Sequence, residues 1–436
     1  MSSALLNQLP TLSKYDPGES GEGSLDPLGL GALADRIADR LVPGMRARMS
    51  QPRFVTLSAV GAHACQPLGG LISSDGKTSF ELAFEWLVVE SLVQHPARDR
   101  LAGVPGSQKA QRARAAGERL SPANYLAGPR VFGFTGVYRP FSVDSRILDQ
   151  NGLPGENAEG LLRAWEADQR LGGFQFGESG SLGANLRRNI EKSVRDSLTK
   201  GHSTAPLTGA LVANVAKHLA PTEAGRHERG ELRRLITSEQ HPVRHELSRI
   251  MVAHLLRPDP WPTQRDLASV LLRHAAGSTT RAALRSATAY ESCVTAIEYA
   301  FRRILQHGSS LQGGVFSVDQ AAATPGIAEL APHVGNLVRR AVEATTELDE
   351  GLAMDVGSAL GDVDRGFTAH EFVEALIARH QQVQAGKGKR MWIDEIKHGW
   401  WFVRSPYRRD WGVLDDEAWT HPMRIQTLLG FLARTA

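Results

Sequence analysis

The chain has 436 residues, enough for two or three domains with a sizeable core, which excludes a disulfide-stapled or metal-nucleated miniature. With 50 Lys and Arg against 47 Asp and Glu, the formal charge of +3 excludes a histone-like polyanion coat, so any basic surface must be local. At 42% apolar and 22% charged residues, the composition is that of an ordinary folded soluble protein.

Residues 1 to 25 carry turn formers around Asp16-Pro17-Gly18 and few apolar side chains, and read as a flexible arm. Asp26 as N-cap, Pro27 at the first helical position and Leu30, Leu33, Ala34, Ile37 and Leu41 at helical spacing predict a helix that Pro43-Gly44 stops. Thr78 with Glu81 matches a capping box, followed by an apolar stripe of Leu82, Trp86, Val89 and Val93. A basic helix from Gln108 to Arg119 carries Lys109, Arg112 and Arg114, and Ser121-Pro122 starts a shorter one. Arg130 to Phe141, with Val131, Phe132, Phe134, Val137 and Tyr138 among glycines, reads as a hairpin. The order over about 78–141 is that of a small winged-helix-like α+β part.

Helices are expected near 156–171, 181–200, 206–219, 222–237, 241–256, 263–275 and 279–307, separated by short Gly, Pro and Ser breaks. Residues 343–374 then hold nine acids against Arg365 alone, and residues 387–409 seven bases against two acids. Five of eight tryptophans follow residue 390, predicting a short Trp-rich β element around 391–404 before a final helix from Thr420. The expected fold is mainly α, divided into an arm (1–25), an N-terminal helical domain (26–150), a central helical domain (151–342) and a C-terminal region (343–436).

Motifs with known chemistry fail on inspection. Gly29-Leu30-Gly31-Ala32-Leu33-Ala34 follows no strand, so it is not a dinucleotide turn, and no phosphate loop occurs. Aligning Gly366 with the invariant glycine of a calcium loop places Val363 and Phe372 where oxygen ligands are needed. His241, His245 and Glu246 enclose Arg244, which opposes a metal, and Ser179 lacks the second glycine of a nucleophile elbow. Cys65 and Cys293 have no partner at redox or metal spacing and read as buried hydrophobes. No metal and no cofactor are therefore expected.

The stretch from His380 through Lys387, Lys389 and Arg390 to Trp392 joins a helix end to a glycine-relieved basic loop. Ammonium and free N–H groups there suit phosphate, and an indole can stack on a base. Arg404, Arg408 and Arg409 extend this candidate surface, and Lys109, Arg112 and Arg114 lie in a second zone, 96–146, with nine bases and three acids. For catalysis, His380 with Glu371 or Glu374 is the one pairing that spacing offers.

Leu25-Asp26-Pro27-Leu28-Gly29-Leu30, Ala34 through Gly44 and Pro52-Arg53-Phe54-Val55-Thr56, with a fainter match at Lys387-Gly388-Lys389, Trp392 and Trp419 to Arg424, resemble uncharacterised bacterial proteins encoded in anti-phage defence islands beside helicases and nucleases. The resemblance implies context rather than chemistry. With the basic zones it points to an accessory subunit that binds DNA or RNA and docks a helicase or nuclease, in the bacterial cytoplasm and off the membrane. The alternatives are a nuclease or other hydrolase with a non-local active site and a pure protein-interaction scaffold.

Overall fold

A computed structural model describes residues 26–95, 101, 103–125, 133–177, 180–256, 263–408 and 418–436. The fold is mainly α. In chain order the helices are α1 (Gly31–Leu41), α2 (Arg53–Cys65), α3 (Phe80–Gln94), α4 (Ser107–Ala115), α5 (Phe134–Asp144), α6 (Ala158–Gln169), α7 (Leu182–Lys200), α8 (Ala210–His218), α9 (Arg226–Ile236), α10 (Pro242–His254), α11 (Gln264–His274) and α12 (Ser278–Ser310). Strand β1 (Val315–Ser317) precedes α13 (Val318–Ala322), α14 (Ile327–Leu330), α15 (Val334–Thr346), α16 (Glu350–Leu360) and α17 (Ala369–Gly386). Strands β2 (Ile393–Lys397) and β3 (Trp400–Val403) and helix α18 (Ile425–Arg434) complete the chain.

These elements form two compact units, one from Met1–Leu41 and Trp261–Met423, the other from Val42–Pro260 and Arg424–Ala436. Their boundaries interleave along the chain.

The first unit is organised on the 33-residue α12. Ala283, Ala287, Tyr290, Val294, Ile297, Phe301 and Ile304 alternate steps of four and three, so one face stays apolar along the whole helix, and all are fully buried. Each larger member contributes about 1.5–3 kcal/mol by leaving water. Helices α15 and α1 pack on it, the latter fixed by the Tyr290 hydroxyl donating to the Leu30 carbonyl at 2.7 Å. Asp26 does not cap α1 directly. Gly29, at φ +74°, turns the chain first, and Asp26 Oδ1 accepts from Leu30 N at 2.8 Å.

A three-stranded antiparallel sheet in the order β1–β3–β2 pairs Phe316 with Trp401 and Ile393 with Val403. Phe316, Ile393 and Val403 are buried, and Gly308 on α12 lets the sheet approach, since a Cβ there would lie 2.6 Å from Val403. Thr368 and Glu371 form the capping box that starts α17.

In the second unit α2 and α3 are buried nearly all round, so α3 is a central helix rather than one with a single stripe. Ser79, not Thr78, caps α3, because Thr78 Oγ1 donates to Asp75 at 2.6 Å and Glu81 pairs with Arg139. Gly61 admits the Phe84 ring, which a Cβ would meet at 2.5 Å.

The expected hairpin and its winged-helix reading are corrected here. Phe134 to Asp144 is helix α5, and the described residues between 78 and 141 hold no strand, residues 130–132 lying outside them. Phe134, Val137, Tyr138 and Phe141 obey the helical period, which their aromatic and β-branched character masked. Phe134 stacks on Phe54 at 5.2 Å, and the Tyr138 hydroxyl accepts from Ser50 and Gln51 N–H. Where a short helix is expected from Ser121-Pro122, the described residues 122–124 form a turn. The expected final helix starts at Ile425, leaving Thr420 to Arg424 irregular around Pro422.

Candidate nucleic-acid interface

A cleft of about 430 Å³ in the second unit is lined by the end of α6, the first half of α7 and both ends of α8. Asn185 and Asn189 are four apart on α7, and Asn214, Lys217 and His218 follow the same logic on α8, so helical spacing turns each set toward one side. Arg170, in the left-handed conformation at φ +54°, closes α6 and remains exposed at the cleft's edge. Leu171 and Leu186 are its buried apolar floor.

The charges of the described lining residues have one sign. No carboxylate is among the described lining residues, while Arg170 and Lys217 are both exposed. Arg188 adds a third cation beside the cleft by donating to Asn185 Oδ1. His218 Nδ1 meets Gln169 Oε1 at 3.2 Å, and burial with Lys217 and Arg53 nearby holds this imidazole below its ordinary pKa, hence neutral. Side-chain amides both donate and accept, which suits base edges and sugar hydroxyls, and the cations suit phosphate.

A larger open depression, about 860 Å³, shows the contrast. It is lined by Arg139 and Arg146 together with Asp144, Asp149 and Glu156. Arg146 is paired with Glu156, and Arg139 with Glu81, so this depression presents no excess positive charge to an anion.

Comparison with protein-family models, curated proteins and solved structures finds no match.

Most cations singled out in the sequence have internal partners. Lys387 Nζ donates to Asp26 O at 2.8 Å and pairs with its Oδ2 at 3.1 Å. Arg404 clamps Asp394 with contacts of 2.6 and 3.1 Å. Arg408 donates to the Val403 carbonyl at 2.6 Å and lies over the Phe402 ring. Lys109 closes on the Tyr125 carbonyl at 3.0 Å and Arg114 on that of Val93. Arg112 is exposed, Lys389 and Arg390 are half-buried, and Arg409 lies outside the described residues. Trp392 is buried, stacked on Tyr407 at 4.9 Å, so its indole face is not presented to a base.

His380, Glu371 and Glu374 are not brought together as a catalytic set. The His380 ring is fully buried, its Nδ1 bonded to the Pro27 carbonyl at 3.1 Å and its Nε2 accepting from Trp392 N–H at 3.0 Å. Desolvation pushes its pKa down to about 4, which makes it a neutral bracket between two segments. Glu371 serves the α17 capping box, and Glu374 lies 3.5 Å from His370 on the exposed side.

The cleft residues escaped sequence reading because they come from three helices. The legible trace was Asn185 and Asn189 at a four-residue interval beside Arg188 on a basic helix. A group with metal-binding potential, absent from the sequence expectations, is Asp26, Glu298 and His421 in the first unit.

Proposed function

We propose that this protein binds a nucleic-acid strand through the α6–α7–α8 cleft and acts as an accessory subunit of a bacterial, cytoplasmic defence or DNA-processing complex. The observation that carries the reading is the cleft's chemistry: exposed Arg170 and Lys217, three asparagines and no lining carboxylate among the described residues. Its volume falls within the range of small-ligand sites, enough for part of one strand but not a duplex groove. Phosphates would be held by Arg170, Lys217 and Arg188, and the amides would meet bases or sugars. The sequence resemblance to proteins encoded beside helicases and nucleases supports the accessory role. No described helix is long and apolar enough to cross a membrane.

The test is fluorescence anisotropy with short labelled single strands and duplexes of DNA and RNA at low salt. Saturable binding of a single strand, weakened at least tenfold by Arg170→Glu with Lys217→Glu, is the expected result. Absence of binding to every oligonucleotide would overturn the reading.

A further inference from the structure

Four side chains that the nucleic-acid reading does not use converge in the first unit. On α12 the positions Leu284, Glu291, Glu298 and Leu305 follow one another at intervals of seven, and all four are buried. A seven-residue interval keeps them on nearly one face, so two glutamates occupy places where the flanking leucines show that the packing is apolar. Burying a carboxylate costs several kcal/mol unless it is fully partnered.

Glu291 is partnered. Its Oε2 accepts from His421 N–H at 2.9 Å, and its Oε1 faces His421 Nδ1 at 3.0 Å. Glu298 is half partnered, with Arg302 donating to Oε2 at 3.0 Å and Oε1 buried without a hydrogen-bond partner. That orphan oxygen faces His421 Nε2 at 3.6 Å, too far for a hydrogen bond. Asp26 completes the group, with one ligand atom from each of the three residues within 4.8 Å of the others. His421 can reach the site because Thr420 to Arg424 stays irregular, and it lies just before Pro422.

We propose that Asp26 Oδ, Glu298 Oε1 and His421 Nε2 bind a divalent first-row transition metal, Zn²⁺ in the first place, with Glu291 orienting the histidine. Bonds of about 2.1 Å set tetrahedral ligands about 3.4 Å apart, close to the separation of Oε1 and Nε2. A carboxylate on Nδ1 fixes the tautomer that leaves Nε2 free for metal, the arrangement that accompanies most histidine ligands. Arg302 holds the other oxygen of Glu298, and Leu30 N–H and Lys387 donate to Asp26 Oδ1 and Oδ2, so both carboxylates are oriented. Imidazole with two carboxylates favours Zn²⁺ over Mg²⁺, which prefers oxygen and water. The metal would tie the segment before α1, the middle of α12 and the segment before α18 together. This site is independent of the cleft and of its function.

The test is calorimetric titration of the full chain, stripped with EDTA, with Zn²⁺ and separately with Mg²⁺, alongside circular dichroism melting. One saturable Zn²⁺ equivalent, a raised melting temperature and no Mg²⁺ binding are expected. His421→Gln and Glu298→Gln should each weaken that equivalent at least a hundredfold, and Glu291→Gln ten- to a hundredfold. Asp26→Asn, at the more exposed edge, supplies a variant less tied to the core and should also weaken it. No saturable Zn²⁺ uptake, or uptake that Asp26→Asn and the folded members of the set leave unchanged, would overturn the proposal in favour of a protonated His421 bridging the two glutamates.

Discussion

The α6–α7–α8 cleft of the second unit and the Asp26–Glu298–His421 cluster of the first are opposites in charge. In the cleft, Arg170 and Lys217 stand exposed with no carboxylate among the described lining residues. In the cluster, a buried carboxylate oxygen stands without a hydrogen bond. Arg53 and Glu228 are a matched case: they form a buried pair at 2.9 Å, with further Arg53 bonds to the carbonyls of Ala220 and His218. Departures from that matching are informative because an unmet charge costs free energy where it is buried and attracts counter-ions where it is exposed. The two departures call for ligands of opposite sign.

The largest effect expected is at the matched pair. Glu228→Gln leaves the Arg53 guanidinium buried without its counter-charge and should cost about 3–5 kcal/mol in urea unfolding. Glu298→Gln in metal-free protein should change stability by no more than about 1 kcal/mol, since it neutralises a carboxylate that is incompletely met. Equal losses in the two variants would erase the distinction between matched and unmatched burial.

A smaller effect is expected at His380. Its folded pKa of about 4 lies below the ordinary histidine value, so between pH 6.5 and 4 the unfolded chain takes up the proton more readily than the folded one. Stability from this residue is full above pH 6.5 and is lost as pH falls through that window, by at most about 3 kcal/mol. His380→Gln should flatten that part of the pH profile in denaturant titrations; an unchanged profile would mean the ring is not held neutral. The smallest effect belongs to exposed pairs such as Arg36–Asp355, where both side chains are about half exposed, and Arg36→Ala should cost less than about 1 kcal/mol in the same assay.

Long periodic segments were legible from sequence. The seven expected helices from 156 to 307 correspond to α6 through α12, and the Trp-rich β element falls at β2 and β3. Where residue character and period disagreed, as in Phe134 to Phe141, character misled. The interleaving of the units was invisible, because α18 packs with α9 and α10, far earlier in the chain. The acidic block at 343–374 looked like one surface, yet its members do separate local work: Asp349 caps α16, Asp362 pairs with Arg379 and Glu371 caps α17. The same holds for Lys387 and Arg404, whose partners Asp26 and Asp394 no run of like charge discloses. In α12, the seven-residue spacing of Glu291 and Glu298 between leucines was present in the sequence, but His421, which gives it chemical meaning, lies over a hundred positions away.

The salt dependence of single-strand binding tests the central claim most directly. Each phosphate contact contributes about 0.7 to the slope of log K against log salt for a single strand. Replacing Arg170 and Lys217 with Glu should reduce the slope by about 1.4 and the affinity at least tenfold, while Lys389→Glu with Arg390→Glu leaves both nearly unchanged. An unaltered slope and affinity in the cleft variant, or a loss confined to the Lys389 and Arg390 variant, would contradict the account.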